Sequence, residues 1–132
     1  MKNSKMLKSI LLISGLIAAG IGGALLFFPV AFQASSGIEL GDNISLLSEV
    51  RAPGGALFAS GILMVLGAFV SKLTFTSLVV SILIYLSYGL SRILGMAIDG
   101  MPGEALIMAT VLEIIIGIVG VFALLKYRDQ IA

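Results

Sequence analysis

The sequence predicts an all-α integral membrane protein, a four-helix bundle whose successive helices run antiparallel, up and down. Of its 132 residues, 59% are hydrophobic and 11% are charged, and the mean hydropathy is +1.17. A water-soluble domain of this size cannot bury so much apolar surface. The charges are clustered, and the apolar runs between them are long enough for a helix to cross about 30 Å of hydrocarbon. Inside lipid every backbone polar group must be satisfied within the protein, so runs of about 20 residues predict helices.

The first predicted span covers residues 10–28. It follows three lysines and ends at Pro29, which cannot continue a helix without the loss of a hydrogen bond. A cleavable signal peptide is the alternative interpretation, because residues 31–34 (Ala-Phe-Gln-Ala) resemble a cleavage site. The 19-residue apolar run is longer than the roughly 7–15 residues of a typical signal, which favours a membrane span.

The second predicted span covers residues 52–70, with Pro53 in the first helical turn, where proline is tolerated. Before it, residues 30–51 are polar and acidic. Their apolar positions alternate with polar ones, which predicts a loop lying at the membrane interface, with a short helix starting near Ser45.

Two short connections define the third and fourth spans. Residues 71–73 are too few for anything except a tight connection, so the second and third spans are predicted to be antiparallel neighbours. The third span covers residues 74–98 and ends at the turn sequence 99–103, which contains two glycines and a proline. The fourth span covers residues 104–125. No linker interrupts the chain, so residues 1–132 are predicted to form one domain.

Lysine and arginine are distributed unevenly over the two sides of the predicted membrane. Cytoplasmic loops are enriched in these residues, so the basic side and both termini are predicted to be cytoplasmic, in a bacterial inner membrane. The opposite side holds Arg51 among acidic residues. The basic side holds Lys2, Lys5, Lys8, Lys72, Lys126 and Arg128.

The residue types that are missing restrict the chemistry. The chain has no cysteine and no histidine, so it lacks the usual ligands of zinc, copper and haem and the usual proton shuttle at neutral pH. We therefore expect no metal, no cofactor and no catalytic residue. No basic patch with interleaved aromatic residues indicates binding of nucleic acid.

Two ionisable residues inside the spans are the main candidates for a functional site, because charges within a bilayer are costly. Arg92 lies seven residues before Asp99, roughly 10 Å below the turn, and Glu113 lies nine residues after Glu104, roughly 14 Å below it. Since the two helices are antiparallel, Arg92 and Glu113 are predicted to reach similar depths and to form a buried ion pair.

Polar side chains extend this candidate site. On the third span, Ser77, Ser81, Tyr85 and Tyr88 share one helical face with Arg92. The tyrosines would form walls of an outward-opening cleft between the third and fourth spans, and Arg92 would anchor an anion or a polar headgroup. The whole predicted cluster consists of Glu49, Arg51, Tyr85, Tyr88, Arg92, Asp99 and Glu113.

Structural explanations exist for the same residues. A buried Arg–Glu pair can fix the register of two helices where nothing binds. Glu49 and Arg51 can form a cap and a rim pair at the interface, and Asp99 with Gly100 is ordinary turn chemistry. Small residues spaced along two spans can serve packing inside the monomer or dimerisation. These are Gly15, Ala19 and Gly23 in the first span, and Gly117 and Gly120 in the fourth.

The polar positions resemble a known family. The segment 49–55 (Glu-Val-Arg-Ala-Pro-Gly-Gly), Arg92, the turn 99–102 (Asp-Gly-Met-Pro) and Glu113 are similar to the pattern of bacterial four-span membrane proteins catalogued as Domain of Unknown Function 4345. This resemblance extends from about Leu11 to Leu125. It implies a four-span topology and supplies no substrate and no catalytic residue.

Three functions are compatible with these observations. The first is a structural or accessory membrane subunit with a protein partner or a second copy of the chain. The second is a binding protein or transporter for a small polar ligand or a lipid, although the first span lacks the acid of small multidrug exporters. The third is an intramembrane enzyme, for which Glu113 would be the acid or base. In all three the lipid bilayer is a partner.

Overall fold

The computed structural model describes residues 4–131 and is built from α-helices. Four of them are long and apolar enough to cross a membrane, which confirms the predicted all-α four-helix fold. Lys2, one of the predicted cytoplasmic lysines, lies outside the described residues. The helices are α1 (Ser4–Phe27), α2 (Pro29–Ala34), α3 (Ile44–Phe69), α4 (Ser71–Asp99) and α5 (Glu104–Ile131).

The bundle has two distinct ends. One end, here the terminal end, holds the start of α1, the connection at Val70 and the end of α5. The hydroxyl of Tyr127 donates a hydrogen bond to the sulfur of Met6, at 3.3 Å, so both ends of the chain meet there. The other end, here the loop end, holds residues 28–43 and the turn 100–103.

The break after α1 follows from Pro29. Phe28 leaves the helical conformation, with φ −133° and ψ 51°, and Pro29 becomes the first residue of α2, where its missing N–H costs nothing. The short helix α2 packs against α1 and α3. It ends at Ala34, and the turn that follows closes at Gly37, which has φ +79° and donates its N–H to the carbonyl of Ala34. The chain therefore folds back over the loop end.

Helix α3 combines two of the predicted elements. The short helix predicted near Ser45 and the span predicted from residue 52 form one helix that starts at Ile44, where the Asn43 side chain caps it by accepting a hydrogen bond from the N–H of Leu46, at 3.1 Å. Pro53 is therefore inside the helix and not in its first turn, which corrects that prediction. Its ring removes the N–H that would bond to the carbonyl of Glu49, an exposed residue whose backbone lies near the end of the bundle.

The helices form two closely packed pairs, α1 with α3 and α4 with α5. In the first pair, a Cβ on Gly61 would lie 2.8 Å from the Cα of Ala19, and a Cβ on Gly15 would lie 2.8 Å from the carbonyl oxygen of Gly61. In the second pair, a Cβ on Gly120 would lie 2.9 Å from Cγ1 of Ile82. These glycines let the backbones approach, so the small residues serve packing inside the monomer.

Two hydrogen bonds and a buried cluster join the two pairs towards the terminal end. The hydroxyl of Thr74 donates to the carbonyl of Gly67, at 2.7 Å, and the hydroxyl of Ser77 donates to the carbonyl of Leu63, at 2.9 Å. Both bonds connect α4 with α3. Beside them lies a buried cluster that brings α1 and α5 together, formed by Leu7, Leu11, Leu78, Ala123 and Tyr127.

Candidate functional site

Arg92 and Glu113 form an ion pair between α4 and α5. The Nε of Arg92 donates to Oε1 of Glu113 over 2.9 Å, and the two side chains are 33% and 13% exposed. The short turn at Gly100 makes α4 and α5 antiparallel neighbours, which brings the two residues to the same depth. A charge pair that is largely shielded from solvent therefore lies inside a predicted membrane span.

Two tyrosines extend from this pair along α4. The guanidinium carbon of Arg92 lies 5.8 Å from the centroid of the Tyr88 ring, which is the geometry of a cation–π contact. One turn further towards the terminal end, Tyr85 is almost completely buried, and its hydroxyl donates to the carbonyl oxygen of Ser14 on α1, at 2.5 Å. Tyr85 therefore ties α4 to α1 directly below the ion pair.

A cavity of about 270 Å³ lies next to these side chains, between α1, α4 and α5. Most of its wall is apolar, and one side carries the tyrosines and the ion pair. The α1 side consists of Ile17, Ala18, Ile21 and Leu25. The α4 side includes Ile84, Tyr85, Tyr88 and Arg92, and the α5 side consists of Ala105, Leu106, Ala109, Leu112 and Glu113.

The cavity is covered at the loop end by residues 32–38, here the roof segment. Phe32, Gln33, Ser36 and Ile38 of this segment line the cavity. The segment reaches the turn between α4 and α5, because a Cβ on Gly103 would lie 3.9 Å from the carbonyl oxygen of Ser36. Two polar side chains, Gln33 and Ser36, therefore line the same end of the cavity as Arg92.

Other residues of the predicted cluster lie elsewhere. Arg51 donates from Nη1 to the carbonyl oxygen of Leu26, at 2.6 Å, and lines a surface groove beside α3 instead of the cavity. Leu26 lies in the last turn of α1, where carbonyls lack helical partners, so Arg51 caps that helix. Glu49 is exposed on α3 and, within residues 4–131, forms no ion pair with Arg51.

Asp99 is also outside the cavity. It is the exposed last residue of α4 and lines a groove at the turn, which it shares with Arg92. The structure thus brings Tyr85, Tyr88, Arg92 and Glu113 together at the cavity, whereas Glu49, Arg51 and Asp99 lie outside it. The physical reason is that the first turns of α3 and the end of α4 lie at the bundle surface, above the depth of the ion pair.

Several residues of the cavity were not predicted from the sequence. The α1 wall is apolar and has no distinguishing residue type, and the positions of Gln33 and Ser36 depend on the fold of the roof segment. The sequence signals for that fold are Pro29, which starts a new helix, and Gly37, which closes the turn after it. The cavity therefore lies between α1, α4 and α5, with Leu57 of α3 also in its wall, instead of between the third and fourth spans alone.

The chemistry available at this site is hydrogen bonding to a polar group beside an apolar surface. In the described chain, no hydrogen bond joins Nη1 or Nη2 of Arg92 to another protein atom, so the guanidinium can donate to a ligand. Residues 4–131 contain no group of three or more potential metal-ligating side chains. All fully buried side-chain nitrogen and oxygen atoms in this range have hydrogen-bond partners.

The four helices that are long and apolar enough to cross a membrane define the class of a multi-pass membrane protein. Residues 6–124 match the family described as Domain of unknown function (DUF4345), and the chain belongs to this family. Comparisons with curated proteins and with solved structures give no match.

Proposed function

We propose that this chain is a membrane-embedded binding protein for a small amphiphilic molecule held in the cavity between α1, α4 and α5. The observation that carries the proposal is the combination of an apolar wall and a few convergent polar groups in one cavity. This composition is typical of ligand sites. At about 270 Å³, the cavity is close to the lower limit of roughly 300 Å³ for such sites, which favours a small ligand or one part of a larger one.

The polar groups favour a ligand head that accepts hydrogen bonds. Glu113 neutralises Arg92, so the site carries no net charge and does not require a full anion. The terminal nitrogens of Arg92 supply donors, and Gln33 and Ser36 of the roof segment supply groups that donate and accept. A neutral polar or zwitterionic head with an apolar body therefore fits this cavity.

The proposal includes a bacterial inner membrane and cytoplasmic termini. Lys5, Lys8 and Lys72 lie at the terminal end, whereas Glu39 and Asp42 lie at the loop end. This distribution supports a cytoplasmic terminal end. Because the chain has no native cysteine, Lys72→Cys and Asp42→Cys variants can be labelled with a membrane-impermeant maleimide in intact cells. We expect labelling at position 42 only, and labelling at position 72 only would reverse the orientation.

A structural or accessory role is the second candidate. It is supported by the complete pairing of buried polar side chains in the described residues and by the Arg92–Glu113 contact, which fixes α4 against α5. In this role the chain would act through a membrane-protein partner or a second copy, and the cavity would hold no specific molecule.

Filling the cavity separates the two candidates. Ala109 lines the cavity on α5, whereas Ala97 is exposed on α4 outside it, so Ala109→Phe and Ala97→Phe form a matched pair. The proteins are purified in a mild detergent, and their organic extracts are quantified by mass spectrometry. We expect the wild type and Ala97→Phe to carry the same enriched amphiphile and Ala109→Phe to lose it at unchanged helix content. Equal content in all three proteins would refute binding in the cavity.

A further inference from the structure

We infer that the ligand of the cavity is a membrane lipid whose hydrocarbon tail enters sideways from the bilayer, through the gap between α1 and α5. This inference rests on the proposed binding function and names its substrate class. It depends on two features of the described residues: where α1 and α5 separate, and what covers the loop end of the cavity.

The gap is created by the packing of α1. Near the terminal end, Leu7 and Leu11 of α1 share a buried cluster with Ala123 and Tyr127 of α5. Further along, α1 follows α3, because the close approach continues at Gly22, where a Cβ would lie 2.7 Å from the carbonyl oxygen of Gly54. The helices α1 and α5 therefore pack together at one end and line the two sides of the cavity at the other.

The edges of the gap are apolar and exposed. Ile21 on α1 and Leu112 on α5 both line the cavity, and they are 37% and 40% exposed. At this depth in a membrane span, the surrounding medium is hydrocarbon and not water. An acyl chain can therefore reach the cavity without leaving an apolar environment, whereas a water-soluble ligand would have to pass the roof segment.

The polar and apolar ends of the cavity match the head and the tail of a lipid in the leaflet that surrounds it. Its polar side chains, Gln33, Ser36 and Arg92, lie towards the loop end, and Arg92 is roughly 10 Å below Asp99 along α4. The apolar walls at Ile17 and Ala18 lie deeper. A lipid would place its head under the roof segment and its tail towards the bilayer centre, so it keeps its usual orientation while bound.

Two tethers test this route. The introduced cysteines are the only thiols, because the native chain has none. A gap tether joins Ile21→Cys to Leu112→Cys, and a roof tether joins Ser35→Cys to Gly103→Cys, two neighbouring positions that do not line the cavity, each with a bis-maleimide reagent. Each tethered protein is reconstituted in vesicles of phosphatidylethanolamine and phosphatidylglycerol. The probe is phosphatidylethanolamine that carries a diazirine in its acyl chain. Uptake starts when vesicles that contain the probe are fused with the protein vesicles. Photolabelling of the buried Tyr85 reports a tail inside the cavity, since lipid around the protein cannot reach it.

We expect the gap tether to slow labelling at Tyr85 by about ten-fold or more relative to the mono-maleimide-treated variant, and the roof tether to leave the rate unchanged. Closing the gap after the probe has entered should preserve the label. An unchanged rate with the gap tether, or equal blocking by the roof tether, would overturn the lateral route. If the untethered protein shows no label at Tyr85 although its lipid-facing residues are labelled, the assignment of the ligand as a membrane lipid is overturned. The proposed binding function fails separately, when the wild type and Ala109→Phe carry equal amounts of amphiphile.

Discussion

Replacement of Arg92 by Met would leave the carboxylate of Glu113, which is 13% exposed, without the guanidinium 2.9 Å away. Removal of one partner from a fully buried ion pair costs about 3–5 kcal/mol of stability. An exposed ion pair contributes only about 0–1 kcal/mol in total. The Arg92 side chain is 33% exposed, so this pair lies between the two cases. We expect the free energy of unfolding to fall by about 2–3 kcal/mol.

Replacement of Glu113 by Gln should cost less, about 1 kcal/mol, because Gln keeps an acceptor for Nε and the charge left alone is the more exposed one. The Arg92→Met, Glu113→Gln double variant then gives the coupling free energy. Residues in direct contact couple by about 0.5–3 kcal/mol, and we expect about 1–2 kcal/mol here. The assay is reversible unfolding in mixed micelles with increasing dodecyl sulfate, followed by circular dichroism.

Arg51→Met is the matched control. Arg51 also donates to an oxygen, the carbonyl of Leu26, but has no carboxylate partner in the described structure. Arg51→Met should lower the free energy of unfolding by about 1 kcal/mol. In the double variant with Glu113→Gln, the two losses should simply add. If the losses from Arg92→Met and Glu113→Gln also add within about 0.5 kcal/mol, the pair contributes no stability and the argument from its geometry is refuted.

Three further substitutions test the structure at other points. Asn43→Ala removes the cap of α3 and should cost about 1 kcal/mol, seen as faster amide hydrogen exchange in the first turn of that helix. Gly67→Ala should cost about 1–3 kcal/mol in the same unfolding assay, because its Cβ would collide with the side chain of Ser77. Tyr85→Phe removes the hydrogen bond to the carbonyl of Ser14 and should cost about 1 kcal/mol in that assay.

Each of these substitutions has a control in the chain. Asn43→Ser keeps a capping oxygen and should keep slow exchange. Gly95→Ala places its Cβ where nothing lies within 4 Å, so it should be neutral or stabilising by up to about 1 kcal/mol. Tyr88 is half-buried, and its hydroxyl forms no hydrogen bond within the described residues, unlike that of Tyr85. Tyr88→Phe should therefore leave the free energy of unfolding nearly unchanged. If a control variant has as large an effect as the substitution that it is matched with, the physical cause given for that substitution is wrong.

The number of spans was predictable because each segment that crosses a bilayer must be about 20 residues long and mostly apolar. Pro29 and Gly100 mark helix ends that the structure shares, and Gly100 has φ +101°, a conformation that favours glycine. The equal depth of Arg92 and Glu113 followed from counting residues on both sides of one short turn. These features are local, so residue types and spacing were enough.

Features that depend on tertiary contacts were not predictable. The continuity of α3 was missed because Pro53 indicates the start of a new helix, whereas the Asn43 cap and packing against α1 support one helix from Ile44 onward. Helix α5 extends to Ile131, beyond the apolar run, because Tyr127 is buried against Met6. Arg51 was assigned to the charge cluster although its partner is the carbonyl of Leu26. A backbone partner cannot be inferred from the types of the residues in the sequence.

The division into two helix pairs determines how the cavity can change size. The close glycine contacts lie within the α1–α3 and α4–α5 pairs, apart from the Gly67–Ser77 contact near Val70. An increase in the angle between the pairs, with the terminal end as the hinge, would keep these contacts but stretch the hydrogen bond from Tyr85 to the carbonyl of Ser14, which crosses between the pairs. The Tyr85–Ser14 hydrogen bond therefore limits how far the space between α1 and α5 can widen while the internal geometry of each pair stays the same.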